Sequence, residues 1–367
     1  MAEILEIDPN APADDAIERA AAIIRAGGLV AFPTETVYGL GADATNASAV
    51  RRIFHAKGRP ATDPLIVHVA SVADALAVVS HLPPGAEQLA RAFWPGPLTL
   101  VMPRAASIGD EVTAGLDTVA VRVPAHPIAQ ALVRAARVPV AAPSANLFSR
   151  PSPTRAEHVE RDLGDRIDLI IDGGPTMVGI ESTVVDLTVD PPVVLRPGGV
   201  TLERLSAVLP AMTLRQADAR GDTAMPAPGM LSRHYAPTTP LTLYEGDPQA
   251  IVQLVGTELR SALTANEPVV VLAPSEQLQA IRSFIHGNGD GLLVLVDLGL
   301  ESAPEVIAAH LYDALRRCDE VVSARRILAV QVTGTDGINL AIRDRLRRAS
   351  AGHIVSVPPG EQAPTRD

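Results

Sequence analysis

Apolar residues recur at helix and strand spacing along most of this chain, but the regular spacing disappears over residues 213–240. The break splits 367 residues, more than one core usually supports, into two segments. On its N-terminal side the spacing predicts a helix over 14–26 stopped by Gly27-Gly28, a buried strand over 29–32, a helix from about Ser48 and a strand over 64–69. Further strands are expected over 98–102, 118–123, 138–142, 169–171, 182–187 and 193–196, with helices over 72–79, 86–93, 127–136 and 202–209. On its C-terminal side, strands over 241–244, 269–272, 292–296 and 327–332 alternate with four helices, the pattern of a small doubly wound, Rossmann-like sheet. The fold class is therefore α/β, with a twisted mixed sheet and helices followed by the smaller domain. The boundaries read 1–210, a linker over 211–239, a second domain over 240–352 and a tail over 353–367.

Composition agrees with buried sheets. Hydrophobic residues make up 47% and aromatics 3%, so the cores must be built from Val, Leu, Ile and Ala, as parallel strands and their covering helices are. Cys318 is the only cysteine, which excludes an intramolecular disulfide and a cysteine zinc cluster and fits a reducing cytoplasm. The acidic start MAEILEIDPN lacks the basic and apolar parts of a signal peptide, and no apolar run of about 18 residues exists to cross a bilayer. The expectation is a cytoplasmic protein with no membrane partner. A net charge of -11 disfavours non-specific RNA binding, so any RNA contact would need a local patch.

The candidate chemistry sits in the first segment. KGRPATDPLIVH sets Lys57 and Arg59 one residue apart at a helix end, with Gly58 and Pro60 stopping the helix. A point charge beside a planar donor fork suits phosphate, although a solvated basic helix end is an open alternative. In DTVAVRVP, Val119, Val121 and Val123 share a face and leave Thr118, Ala120 and Arg122 on the other; in PLIVHVA, Ile66 and His68 lie opposite Leu65, Val67 and Val69. If both second faces turn to one cleft, Arg122 becomes a carboxylate fork and His68 a hydrogen-bonding imidazole; the alternative is that both meet solvent. Thr34, Glu35 and Thr36 follow the first strand in PTETVYGLGAD, a stretch too polar to be buried, whose hydroxyls could orient a small ligand. GLGADA matches the dinucleotide pattern, with Asp63 about 20 residues on, but residues 34–38 separate it from the strand, so it is discounted. PSAN places Ser144 and Asn146 where a strand end opens into a crevice, or merely starts a turn. GIESTVVD lacks nucleophile-elbow spacing, so Ser182 reads as a binding hydroxyl, and Arg196 in LRPGG is a candidate anion contact. The nine histidines show no metal-ligand spacing.

Taken in order, PTETVYGLGADA, KGRPATDPLIVH, DTVAVRVP, PSAN, GIESTVVD, LRPGG and PGMLSRHYAP closely resemble the threonylcarbamoyl-AMP synthase family in its long form, a YrdC-like domain followed by a linker and a C-terminal α/β domain. The resemblance implies synthesis of L-threonylcarbamoyl-AMP from L-threonine, bicarbonate or CO2, and ATP, with release of pyrophosphate. The product would pass to tRNA threonylcarbamoyl-transfer proteins that modify the adenosine beside the anticodon; whether tRNA itself touches the chain stays open. Carried over by motif, Thr34, His68, Arg122 and Ser182 would contact L-threonine. Lys57 and Arg59, the catalytic cations, would hold the ATP phosphates, with Asp63, Thr118, Ala142, Ser144, Asn146, Ser152, Arg196 and Tyr235 completing the ATP site and Mg2+ bridging phosphates. Asp63 stands where many members carry an uncharged residue, and its carboxylate would repel phosphate unless it meets Mg2+ or a ribose hydroxyl. The linker, with His234 and Tyr235, would act as a lid that keeps water from a labile mixed anhydride. Two other classes compete: an RNA-binding, translation-regulating module without catalysis, and a nicotinamide oxidoreductase that would need GLGADA as a true phosphate turn. A hydrogenase-maturation carbamoyltransferase also has a YrdC-like domain, but it carries zinc-finger cysteines that this chain lacks.

Overall fold

The computed structural model describes residues 1–215, 234–284, 292–321 and 324–358, and its contacts divide the chain into units of residues 1–231 and 232–367. The middle of the expected linker, 216–233, lies outside the described residues.

The first unit runs β1 (Glu3–Glu6), α1 (Asp14–Arg25), β2 (Val30–Phe32), β3 (Gly39–Asp43), α2 (Ala47–Lys57), β4 (Ile66–His68), α3 (Val72–Ala75), α4 (Ala86–Phe93), β5 (Leu98–Pro103) and α5 (Asp110–Thr113). It continues with β6 (Thr118–Arg122), α6 (Pro127–Ala136), β7 (Val140–Ala141), α7 (Ala156–Leu163), β8 (Leu169–Asp172), β9 (Thr183–Asp186), β10 (Val193–Arg196), α8 (Leu202–Val208) and β11 (Thr213–Leu214). Its strands form one mixed sheet in the order β1-β8-β2-β3-β7-β4-β6-β5-β9-β10-β11. Strand alternation sorts the side chains. Val30, Phe32, Leu169 and Ile171 pack under α1 and α6, whereas Leu29, Ala31 and Ile170 join the larger core that α2, α4 and α7 cover. Val67 and Val121 enter that larger core too, while Ile66 and Ala120, on the opposite face, belong to a separate apolar cluster with Val101, Val184 and Leu195.

Local results differ from the sequence reading, beginning with the strand β1 ahead of the first expected helix. Residues 34–43, expected to be too polar for burial, are buried, and part of them forms β3, antiparallel to β2. Burial is tolerated because Thr34 satisfies its own turn: its hydroxyl donates to the Val37 carbonyl at 2.7 Å and accepts from the amides of Thr36 and Val37, each at 3.2 Å. GLGADA is therefore mostly strand rather than a phosphate turn. Residues 213–214, assigned to the linker, pair with β10.

The second unit contains β12 (Leu241–Gly246), α9 (Pro248–Thr264), β13 (Val269–Ala273), α10 (Ser275–Arg282), β14 (Leu293–Asp297), α11 (Pro304–Glu320), β15 (Arg326–Val330), α12 (Asn339–Ala349) and β16 (Ile354–Val357). The sheet is parallel throughout, ordered β14-β13-β15-β12-β16. Connections β12 to β13 and β13 to β14 run one way along the sheet, and the next two run back. Right-handed crossovers then put α9 and α10 on one face and α11 and α12 on the other, matching the observed packing of α9 on α10 and α11 on α12. Residues 354–357, expected as tail, form the edge strand β16; four half-exposed residues carry too little periodicity to be read in advance. Among the described residues, no helix is long and apolar enough to cross a membrane.

Candidate active site

β4 and β6 pair in parallel with His68 opposite Arg122, so strand register alone sets imidazole and guanidinium side by side. Arg122 is held from three directions. Its Nη1 donates to the Thr36 hydroxyl at 3.0 Å, its Nε to the Gly96 carbonyl at 3.3 Å, and its Nη2 lies 2.7 Å from Glu35 Oε1. The other Glu35 oxygen accepts the Ala125 amide at 3.0 Å, and the Thr36 and Thr34 hydroxyls are 2.8 Å apart. This ties the turn after β2 to the ends of β4 and β6. Burial first, and then the charge of Arg122, pull the His68 pKa down to about 3, so the ring is neutral. Arg122 Nη2 and Glu35 Oε1 satisfy each other as a buried ion pair, which leaves His68 Nδ1 as the atom of this cluster with no hydrogen-bond partner among the described residues.

The cations come from the end of α2. Asn46 caps its start, accepting from the amides of Ser48 and Ala49, and Gly58 ends it in the left-handed region at φ 64°. Lys57, 2% exposed, turns inward and donates to the carbonyls of Ser144 and Asn146 at 2.6 and 2.5 Å. The solvated-helix-end reading is thereby excluded. Ser144 Oγ in turn donates to Asn146 Oδ1 at 2.5 Å, and Ala142 lies buried just before them, its amide on the Ile66 carbonyl. Arg59 folds back on the next turn, bonding the carbonyls of Asp63 and Pro64 at 3.0 and 2.8 Å and lying 2.9 Å from the Asp63 carboxylate. Asp63 is thus neutralised within the protein.

A bulge in β10, where the register shifts between Val194 and Arg196, brings Arg196 over β9. Its Nη2 reaches Ser182 O at 2.9 Å and Ser182 Oγ at 3.2 Å, and Ser182 Oγ sits 2.7 Å from the Thr99 hydroxyl. Ser152 donates to Glu181 at 2.6 Å, beside the same segment. Thr118 shares the cleft face of β6 but lies at its far end, about 13 Å along the strand from Arg122, with Ala120 of the separate apolar cluster between them. Tyr235 belongs to the second unit, where its ring lies 5.2 Å from that of Tyr312 and beneath the guanidinium of Arg345. Sequence reasoning gave no role to Thr99 or Glu181 and treated Glu35 only as part of a polar stretch; its pairing with Arg122 is long-range, and no local sequence signal marks it.

No three His, Cys, Asp or Glu side chains converge to hold a metal among the described residues, and the cleft acids Glu35 and Asp63 each face an arginine. The described residues of the cleft offer no ligand set for a resident metal.

Residues 22–198 match the family model described as Telomere recombination, and residues 200–351 match that of the threonylcarbamoyl-AMP synthase C-terminal domain. The threonylcarbamoyl-AMP synthase of Bacillus subtilis is 43% identical over 343 residues, covering 93% of this chain and 95% of the relative. That of Pyrococcus abyssi is 44% identical, covering 93% and 96%. The crystal structure of P. abyssi Sua5 complexed with L-threonine superposes with a TM-score of 0.87 at 41% identity, covering 96% of this chain and 99% of that one. On this agreement in sequence and fold, the chain belongs to the threonylcarbamoyl-AMP synthase family.

Proposed function

We propose that the cleft of the first unit joins L-threonine, bicarbonate or CO2, and ATP into L-threonylcarbamoyl-AMP. The chain is a nucleotidyltransferase by family, and the assignment of individual side chains is argued from the geometry above. The observation that carries it is the buried Arg122–Glu35 ion pair beside neutral His68, whose Nδ1 has no hydrogen-bond partner among the described residues. A buried nitrogen left unsatisfied costs about 1–3 kcal/mol, which is a reason to expect a ligand beside it. L-Threonine suits this set: its carboxylate to Arg122, its amine to Glu35 and its hydroxyl to His68. Ser182 and Thr34 close the pocket.

The threonine nitrogen adds to CO2 and loses a proton, giving a carbamate. A carbamate oxygen then attacks the α-phosphorus of ATP while the bond from that phosphorus to the pyrophosphate oxygen breaks. Both partners are anions, so the barrier is dominated by charge. Lys57 and Arg196 supply buried positive charge, and Arg59, already balanced by Asp63, contributes oriented N–H donors more than net charge. The triphosphate lies along β6, with the adenosine over Ala120 and Leu195 toward Thr118. The product is a mixed anhydride and has to be consumed by a transferase that acylates the tRNA adenosine nitrogen. The RNA-module reading is disfavoured because these cations turn inward.

The test is pyrophosphate release from ATP and bicarbonate across the twenty common amino acids. Turnover with threonine alone is expected; release that ignores the amino acid would overturn the assignment.

A further inference from the structure

Strands β4, β6, β5 and β9 stand side by side in the first sheet, and one row of side chains crosses their cleft face. His68 lies opposite Arg122, and the antiparallel register of β5 and β6, with Leu100 opposite Val121, sets Thr99 opposite Arg122 one step further on. Thr99 lies opposite Val184 on its other side, and Ser182, two residues before Val184, faces the same way. Val101, Ala120 and Val184 join one apolar cluster, as residues on a shared face should. Thr99 therefore stands between the guanidinium assigned to the threonine carboxylate and the Ser182–Arg196 pair.

The two hydroxyls carry one proton too many. Thr99 Oγ1 and Ser182 Oγ are 2.7 Å apart and share a single hydrogen bond, and both residues are buried. Arg196 Nη2, which can only donate, already occupies one lone pair of Ser182 Oγ at 3.2 Å. The Thr99 hydroxyl has no other partner among the described residues. If Ser182 donated to it, the Thr99 proton would lie buried between two neighbouring strands with nothing to accept it. If Thr99 donates, Ser182 Oγ accepts from both neighbours, and its own proton is the one left over, just ahead of β9 and beside the Arg196 guanidinium. That proton asks for an acceptor from outside the chain. The backbone of Ser182 is fixed independently: a Cβ added to Gly198 would come 2.5 Å from the Ser182 carbonyl carbon, and the Ser182 carbonyl accepts from Arg196 at 2.9 and 3.2 Å. Only the Ser182 side chain is left to turn, and the bond from Thr99 sets it.

We infer that Thr99 is a positioning residue for the adenylate-forming reaction: it donates to Ser182 Oγ and so turns the Ser182 hydroxyl proton toward an anionic oxygen of the amino-acid half, its carboxylate or the carbamate. The inference rests on the first-unit assignment above. Thr99 touches no substrate atom; it acts through Ser182, and its donation polarises the Ser182 hydroxyl into a stronger donor.

The experiment is steady-state pyrophosphate release by full-length Thr99→Val, Ser182→Ala and the double variant, with threonine and ATP varied in turn. Thr99→Val should lower kcat/KM for threonine about fivefold, the effect of losing one neutral hydrogen bond, and leave KM for ATP unchanged. In the Ser182→Ala background the same change should have no further effect. Thr99→Ser and Thr99→Ala share the lost methyl and differ only in the hydroxyl, so the serine variant should exceed the alanine variant by the same factor; this comparison decides if Thr99→Val melts early. Wild-type kcat/KM in Thr99→Val, an undiminished loss in the Ser182→Ala background, equal activity of the serine and alanine variants, or a loss carried by KM for ATP overturns the inference. The unsubstituted protein is assayed alongside. Absence of threonine-dependent release there sinks the first-unit assignment, whereas threonine-dependent release that ignores Thr99 sinks only the role of Thr99.

Discussion

Replacing Arg122 separates the two roles it holds. In Arg122→Leu, Glu35 is left 3% exposed with no counter-charge, and breaking a buried pair in this way costs about 3–5 kcal/mol of stability. Adding Glu35→Gln removes the stranded charge while its other oxygen still accepts the Ala125 amide, so most of that loss should return. What remains is the lost donation to Thr36 and Gly96, about 0.5–1.5 kcal/mol each. Binding behaves differently. A charge-assisted bond to the threonine carboxylate is worth about 1.5–3 kcal/mol, so Arg122→Leu should need about 10- to 150-fold more threonine, and the double variant, which also loses the carboxylate assigned to the amine, at least as much. Stability can be followed by urea unfolding through Trp94, the single tryptophan, which lies in the first unit and donates to the Leu98 carbonyl at 2.7 Å. Threonine dependence comes from pyrophosphate release. If the double variant recovers threonine affinity along with stability, Arg122 acts only through folding and the substrate role fails.

Other expectations follow from the same geometry. His68 titrates near 3 in the fold and near 6.5 unfolded, so as pH falls from 6.5 toward 3 the unfolded chain gains a proton the native one refuses. Stability should drop across that window by up to about 1.4 kcal/mol per pH unit, and His68→Gln should flatten the slope; identical slopes in urea titrations would contradict the buried neutral ring. Lys57→Met should slow pyrophosphate release more than tenfold and also destabilise, because it strands the carbonyls of Ser144 and Asn146; an active, fully stable variant would refute both roles. Gly58→Ala meets no atom within 4 Å but must hold φ 64°, so it should cost about 1 kcal/mol in thermal or urea melts, and a neutral result would contradict the left-handed cap. Burial first, and then Asp319, push the Cys318 thiol up to about 12, so alkylation at pH 8 should be negligible until the chain unfolds.

Much of this arrangement was legible in the alternation of single strands. The valines of β6 enter the core as expected, and register, which cannot be read from one strand, then places His68 against Arg122. The helix stop at Gly58 was equally visible. Burial of residues 34–43 was not, because it depends on Thr34 bonding its own turn, which polarity alone obscures. Glu35 was invisible as a partner of Arg122 for a related reason: the two are separated by 86 intervening residues and meet only through the sheet. The bulge that swings Arg196 onto Ser182 is likewise a property of paired strands. Edge strands β1, β11 and β16 were missed because two to four residues carry no usable period.

The central claim is that one cleft grips an amino-acid carboxylate with Arg122 and a triphosphate with Lys57, Arg59 and Arg196. A crystal structure with L-threonine and an ATP analogue blocked at the α,β bridge tests it directly. The carboxylate should lie about 2.7–2.9 Å from the Arg122 guanidinium, with the phosphates against the three cations. Threonine bound away from Arg122, or phosphates seated on another surface, would contradict the account.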